Sequence, residues 1–391
     1  MHILLLTTSF PLRPTSASGI FVERLASELG QQCQLHVLAP ASTTPPALPK
    51  NKTYQLTTFS YAPQELQILA QTNGGIPAAL VTKPWLWLLI PLFITSMLFS
   101  CLWHARRTNL IFANWSICGA IAGIVGRIWS RPVITTLRGE DANRIESSLF
   151  HRLLIWLCLN LGNSVVTVSS DIATRIKHIF PTMAHKIRMI PNGVYLVQDY
   201  NNQHSDKHED KVQLIILGSL IPRKSVQTAL SALACLPTDY LLTIIGDGPE
   251  MNSLRMLANS LGIVERVHFV GSVPPEQVST WLKNADVFIA SSLSEGRPNA
   301  MLEAMATGLP IIATNIPGHR ELVTTNVNGN FFAINDVDGL VISLLSLHDK
   351  NLRQRYGEAS RHYIVEQGLT WENSARLYMN LFTQLTSENK H

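Results

Sequence analysis

The chain has 391 residues, 46% of them hydrophobic and only 15% charged. That length suggests two or three domains, and that composition excludes a disordered chain. The net charge of +4 hides an asymmetry, because residues 1–195 hold 16 Lys and Arg against 7 Asp and Glu while residues 196–391 hold 15 against 20. A basic first half points to a cationic face for an anionic ligand or surface. Nucleic acid is not expected as a partner, since no Lys/Arg run exceeds a pair and no binding module is recognisable.

Met1–Thr8 opens the chain without a basic leader, so a signal peptide is not expected, and its aliphatic run reads as a first buried strand. A helix is predicted from about Gly19 to Gly30. Strand-length apolar runs follow at Gln34–Ala39, Leu110–Ala113, Pro132–Leu137, Val165–Val168 and Ile187–Ile190. Between them lies Trp85–Trp103, 19 residues without a charge. As a helix it would be ~28 Å long, close to a bilayer's hydrocarbon thickness. Three readings stay open: a core helix, a helix lying in the headgroup layer, and a span. The span fits least, because strand-like segments occur on both sides of it and both flanks are basic (Lys83; Arg106 and Arg107). The five cysteines (Cys33, Cys101, Cys118, Cys158, Cys235) lie at least 17 residues apart. They fit a reducing compartment and give no disulfide scaffold and no metal-ligand spacing.

Residues 198–211 are polar and without an aliphatic side chain, and 196–211 read as a linker. Beyond them the rhythm restarts with a strand at Val212–Gly218 and a helix at Lys224–Cys235. Strands at Leu241–Gly246, Val267–Gly271, Ala285–Ala290 and Pro310–Thr314 follow, and a last helix at Trp371–Leu385. The pattern predicts an α/β protein of two doubly wound Rossmann-like domains, 1–195 and 212–370, facing across a cleft. The tail 371–391 is expected to be a helix lying across either domain, with a return to the first among the alternatives. Ligands of such folds bind where the strands' carboxyl ends meet the βα loops.

The segment most specific for chemistry is Ser291–Gly318. A strand ends in a serine-rich turn carrying Glu295 and Gly296, and Pro298 stands where a helix's first turn accepts it. Free amides at Asn299, Ala300 and Met301 would then favour a diphosphate, with Glu295 and Glu303 accepting sugar hydroxyls around it. Gly218–Lys224 follows the second domain's first strand. Its glycine permits close backbone approach, and Arg223 and Lys224 are placed to neutralise the same diphosphate. Gly246–Glu250 reads as structural. Asp171, His151, His268 and His319 have no partner spacing and read as structure or surface.

Embedded in EGRPNAMLEAMATGLPIIAT, the Glu295…Glu303 spacing resembles the E-x7-E element of family 4 glycosyltransferases of the GT-B fold. Pro191–Val194 and Ala285–Phe288 support the likeness, which covers nearly the whole chain and is strongest from Leu214 to Phe332. The resemblance implies retaining transfer of a sugar from a nucleoside diphosphate to an acceptor hydroxyl, in polysaccharide, lipopolysaccharide or glycolipid assembly. It implies no metal and no other cofactor. By resemblance, Glu295 contacts the sugar, Glu303 the ribose, the backbone of Arg297–Met301 the sugar and diphosphate, and Lys224 the phosphates. Gly19 matches a glycine loop near the donor phosphate and acceptor. Thr136–Asp141 aligns with the family's His-Gly-x-Asp segment, which marks Arg138 and Asp141 as acceptor-side catalytic residues. Arg138 stands there in place of a histidine. Ser219 stands where many members carry a phosphate-binding arginine, leaving Arg223 as its substitute.

Two other readings remain. One is an epimerase or phosphorylase on a similar fold, though no lysine has a convincing pyridoxal context. The other is a non-catalytic subunit that binds nucleotide sugar or lipid within a glycan-assembly complex. The basic first domain with its charge-free run points to a cytoplasmic protein resting on an anionic membrane surface and receiving a glycan or lipid-linked acceptor there, the alternative being a fully soluble protein with Trp85–Trp103 buried in the first domain.

Overall fold

The computed structural model describes residues 1–11, 19–43, 52–70, 75–139, 144–196 and 211–388, the side chains at 77 and 78 excepted. It divides into two compact units, one formed by Met1–Asn192 with Trp371–His391 and the other by Gly193–Thr370. The linker expected at 196–211 falls almost wholly outside the described residues.

In the first unit, β1 (His2–Leu6), β2 (Gln34–Pro40), β3 (Gln55–Phe59), β4 (Leu110–Asn114), β5 (Val133–Leu137), β6 (Ser164–Thr167) and β7 (Ile187–Met189) form one sheet. Their order is β3-β2-β1-β4-β5-β6-β7, and every pairing is parallel. A parallel sheet is covered on both faces, which is why β1 is a continuous apolar run. Ile3 and Leu5 pack with α1 (Ile20–Gln32) on one face. Leu4 and Leu6 pack on the other with α2 (Ile90–Ala105) and α3 (Ser116–Trp129), beside which α4 (Leu149–Leu161) lies. The charge-free run thus becomes a 3-10 turn, Pro84–Leu89, followed by α2. Phe93, Met97, Cys101 and Ala105 repeat every four residues and are buried against the sheet, while the opposite stripe is exposed.

The second unit repeats the plan. β8 (Val212–Leu217), β9 (Tyr240–Ile245), β10 (Val267–Gly271), β11 (Val287–Ala290), β12 (Ile311–Thr314) and β13 (Gly329–Phe332) run parallel in the order β10-β9-β8-β11-β12-β13. The predicted pair of doubly wound Rossmann-like sheets is present. Two strands went unpredicted, β3 and β13, both at sheet edges where only one neighbour stabilises the strand and the apolar run is short. α5 (Val226–Cys235) follows β8, and α6 (Asn299–Ala306) follows β11. The last helix, α7 (Trp371–Glu388), belongs to the first unit, where it packs on α1. There Tyr378 and Phe382 meet the ring of Phe112 at 5.0 and 5.4 Å.

Candidate active site

In the second sheet β8 and β11 are neighbours, although the chain leaves them toward opposite sides of the sheet. Between their carboxyl ends lies a pocket lined by Gly218, Ser219 and Lys224 from the first exit and by Ser291, Ser292 and Glu295 from the second. Ala300 and Met301 of α6 and His319 complete its wall. Doubly wound sheets bind ligands at this switch point.

The first exit begins at Gly218, whose φ of +150° favours glycine, and a Cβ there would meet Lys224 Cε at 3.4 Å. Lys224 closes a 3-10 turn, Pro222–Lys224, and α5 starts only at Val226. The expected helix from Lys224 is therefore shortened. Ser225 separates the two, wholly buried in a left-handed conformation at φ 47°. Its Oγ meets Thr228 Oγ1 and Asn335 Oδ1, each at 3.0 Å, which fixes a backbone that only tertiary contacts would hold.

Glu295 gathers the charges. Lys224 Nζ donates to its Oε1 at 2.6 Å, Arg223 Nη1 to its Oε2 at 3.2 Å, and Ser292 Oγ to Oε1 at 2.9 Å. Arg223 also donates to the carbonyl of Ser294 at 2.8 Å. Burial alone would raise the carboxyl pKa, but Lys224 and then Arg223 outweigh it and hold Glu295 at about 2. It is an anion at every physiological pH.

His319 is the residue that the sequence reading missed. It is fully buried on the pocket wall, and its Nδ1 lies 2.9 Å from the Thr314 carbonyl, so the Nδ1–H tautomer fits. Burial pushes its pKa down to about 4 against the pull of Glu295, which leaves the ring neutral. Nε2 has no partner among the described residues. It is a buried acceptor beside an anion. A lone histidine a strand away from Glu295 gives no spacing signal.

The helix α6 departs from expectation at one amide. Met301 N–H is bonded to the Pro298 carbonyl at 3.0 Å, so it is not free for a ligand. The amide of Ala300 has no such backbone bond among the described residues. Asn299, Glu303 and Arg297 do not line the pocket. The Arg297 side chain is buried and pairs with Glu321 at 3.2 Å, where it braces the turn. Of the two spaced glutamates, the pocket holds Glu295 alone, and Glu303 lies half-buried further along α6.

In the first unit, Arg138 follows β5 and is only 4% exposed. Its Nη2 donates to Asn114 Oδ1 at 2.8 Å, its Nη1 donates to Asn192 Oδ1, and the guanidinium lies 4.6 Å over the ring of Phe21. Gly19 caps α1 at φ 76°, where a Cβ would meet the Ser9 carbonyl carbon at 2.6 Å. Asp141 lies outside the described residues. Among the described residues no three His, Cys, Asp or Glu side chains are grouped to hold a metal ion.

A family model described as Glycosyltransferase Family 4 matches residues 18–198, and one described as Glycosyl transferases group 1 matches residues 197–363. The chain belongs to glycosyltransferase family 4. This family 4 chain is 30% identical over 206 residues to the lipopolysaccharide core biosynthesis glycosyltransferase LpsE of Rhizobium meliloti. That match covers 52% of the chain and 59% of LpsE, so the chain spans little more than half the length of that relative. It is 28% identical over 279 residues to the UDP-Gal:alpha-D-GlcNAc-diphosphoundecaprenol alpha-1,3-galactosyltransferase of Escherichia coli, covering 66% and 71% of the two. Sucrose-phosphate synthase from Thermosynechococcus elongatus superposes with a TM-score of 0.80 at 20% identity, over 99% of both chains. The chain therefore shares the GT-B fold.

Proposed function

We propose that the chain transfers a sugar from a nucleoside diphosphate to an acceptor hydroxyl with retention, in the assembly of a polysaccharide, lipopolysaccharide or glycolipid. The observation that carries this reading is the convergence of Lys224, Arg223 and Glu295 on one pocket at the β8/β11 switch point. The leaving diphosphate accumulates charge as the anomeric carbon becomes cationic. Lys224 and Arg223 turn from Glu295 to the phosphates, and the Ala300 amide adds the dipole of α6. Glu295, released and still ionised, accepts hydrogen bonds from the sugar hydroxyls.

The bond from the anomeric carbon to the phosphate oxygen breaks while that from the carbon to the acceptor oxygen forms. The acceptor's proton passes to the departing phosphate oxygen on the same face, so no protein base and no metal enters the scheme. Arg138 and Gly19 in the first unit are assigned to the acceptor and phosphate sides, and Glu303 to the ribose. The five cysteines are free thiols, which supports a reducing, cytoplasmic setting. A uridine nucleotide and a lipid-linked acceptor are suggested by the Escherichia coli relative's name alone.

A thermal-shift panel of nucleoside-diphosphate sugars tests the reading, because a ligand bound to the folded state raises its stability by mass action. A donor that shifts the wild type and no longer shifts Lys224→Ala is the expected result. Equal shifts in the two proteins would place the donor elsewhere.

A further inference from the structure

The first unit exposes an apolar layer that its own core does not use. Helices α2, α3 and α4 lie side by side on one face of its sheet. Trp129 Nε1 of α3 donates to the Leu102 carbonyl of α2 at 3.1 Å, and Arg127 of α3 donates to the Asn160 carbonyl of α4 at 3.1 Å. The inner stripes are buried, and the outer ones are apolar as well. Five of the chain's eight tryptophans (Trp85, Trp87, Trp103, Trp129 and Trp156) are 38–68% exposed on these helices and on the turn leading into α2. Leu149, Phe150 and Leu153 extend the surface along α4. Contiguous patches of this kind mark interaction sites. Tryptophan in such numbers suits a membrane–water boundary, where the ring is buried and the N–H stays wet.

The charge on this layer has a single sign. Residues 66–139 and 147–170, which build it, contain no Asp or Glu. Lys83, Arg106, Arg107, Arg127 and Arg152 are exposed among the apolar side chains. Arg106 lies over the rings of Trp103 and Trp129 at 5.3 and 5.7 Å. Beyond the end of α2, a recess lined by His2, His36, His104, Arg106 and Arg107 likewise has no carboxylate on its wall. The segment Pro84–Ala105 is long and apolar enough to cross a membrane. However, the inner stripe of α2 is committed to β1, β2 and β3 and cannot face lipid.

We propose that this three-helix face docks on an anionic bilayer, with the tryptophans and the α4 residues in the headgroup layer and the five cations on lipid phosphates. The helices lie along the surface and none spans it. The docking is independent of the donor pocket.

Flotation of the full chain with phosphatidylcholine vesicles, with and without phosphatidylglycerol, tests it. The wild type should float with the anionic vesicles at low salt, sink at high salt, and show a blue-shifted tryptophan emission when bound. Phe150→Glu with Leu153→Glu should weaken binding roughly tenfold or more. Arg127→Glu or Arg152→Glu should each weaken it roughly fivefold. Unfolding midpoints and donor-induced thermal shifts matching wild type show that the variants are folded. Failure to float, binding unaffected by the α4 variant, or resistance to carbonate extraction would overturn the proposal. Self-association of lipid-free protein that the same variant abolishes would also overturn it, by giving the face to a second copy.

Discussion

At the carboxyl edge of the first sheet, two neutral amides and an aromatic ring are among the groups that hold Arg138. At the carboxyl edge of the second, Lys224 and Arg223 are held by one carboxylate. The strand orders correspond, so topology does not explain the difference. A buried cation fastened by amide dipoles organises the backbone around it. Cations neutralised by an anion can change partners when a stronger anion arrives. The first arrangement supports its surroundings, and on the proposed function the second is a receptor.

The largest expected effect follows from removing the anion of the receptor. Glu295→Gln keeps the size of the side chain and leaves two cations without their partner, so turnover should fall by roughly 10²-fold or more. Initial rates at saturating donor measure it, and a wild-type rate would end the reading. Next comes Lys224→Ala. Losing a charge-assisted phosphate contact of ~1.5–3 kcal/mol should raise the donor Kd by about 10- to 100-fold. Arg223→Ala should cost less, because its side chain is the more exposed of the two.

Arg138→Ala sharpens the contrast from the other side. It strips partners from Asn114 and Asn192, which should destabilise the first unit by ~1–3 kcal/mol and lower turnover while donor affinity holds. Lost donor affinity with unchanged stability would erase the distinction between support and receptor.

The smallest effect is a pH dependence. Folded His319 titrates at about 4 and the unfolded residue near 6.5, so the unfolded chain binds more protons between those values. Stability should fall as the pH drops from 6.5 toward 4, and His319→Gln should flatten that slope. Glu295 acts below it, since its contribution is lost as the pH falls from 4.5 toward 2. A slope unchanged in His319→Gln would remove the histidine from the account.

Much of this was legible in the sequence. Buried parallel strands are apolar on both faces, so β1, β8 and β12 appear as runs without any need for alternation. β3 reads QLTTF and β13 reads GNFF, too short and too mixed to stand out. In the site, Glu295 and Lys224 were found because a turn, a glycine and charges coincide locally. The 3-10 turn at Lys224 was not, because the left-handed Ser225 is held by Asn335, which is remote in sequence. The expectation for Met301 failed on local backbone geometry, as Pro298 closes a tight first turn on its amide. His319 reached the pocket through the sheet, and a single sequence carries no trace of that proximity.

The clasp of Lys224 on Glu295 has a consequence for turnover. On the proposed function, filling the pocket is an exchange of partners, in which the intact donor satisfies both sides by giving phosphate oxygens to the lysine and sugar hydroxyls to the carboxylate. The spent nucleoside diphosphate offers only the first. Once the sugar has gone, Glu295 competes again for the ammonium group and works against the product. The product should therefore bind more weakly than the donor despite its extra charge, and the resting ion pair becomes a means of ejection.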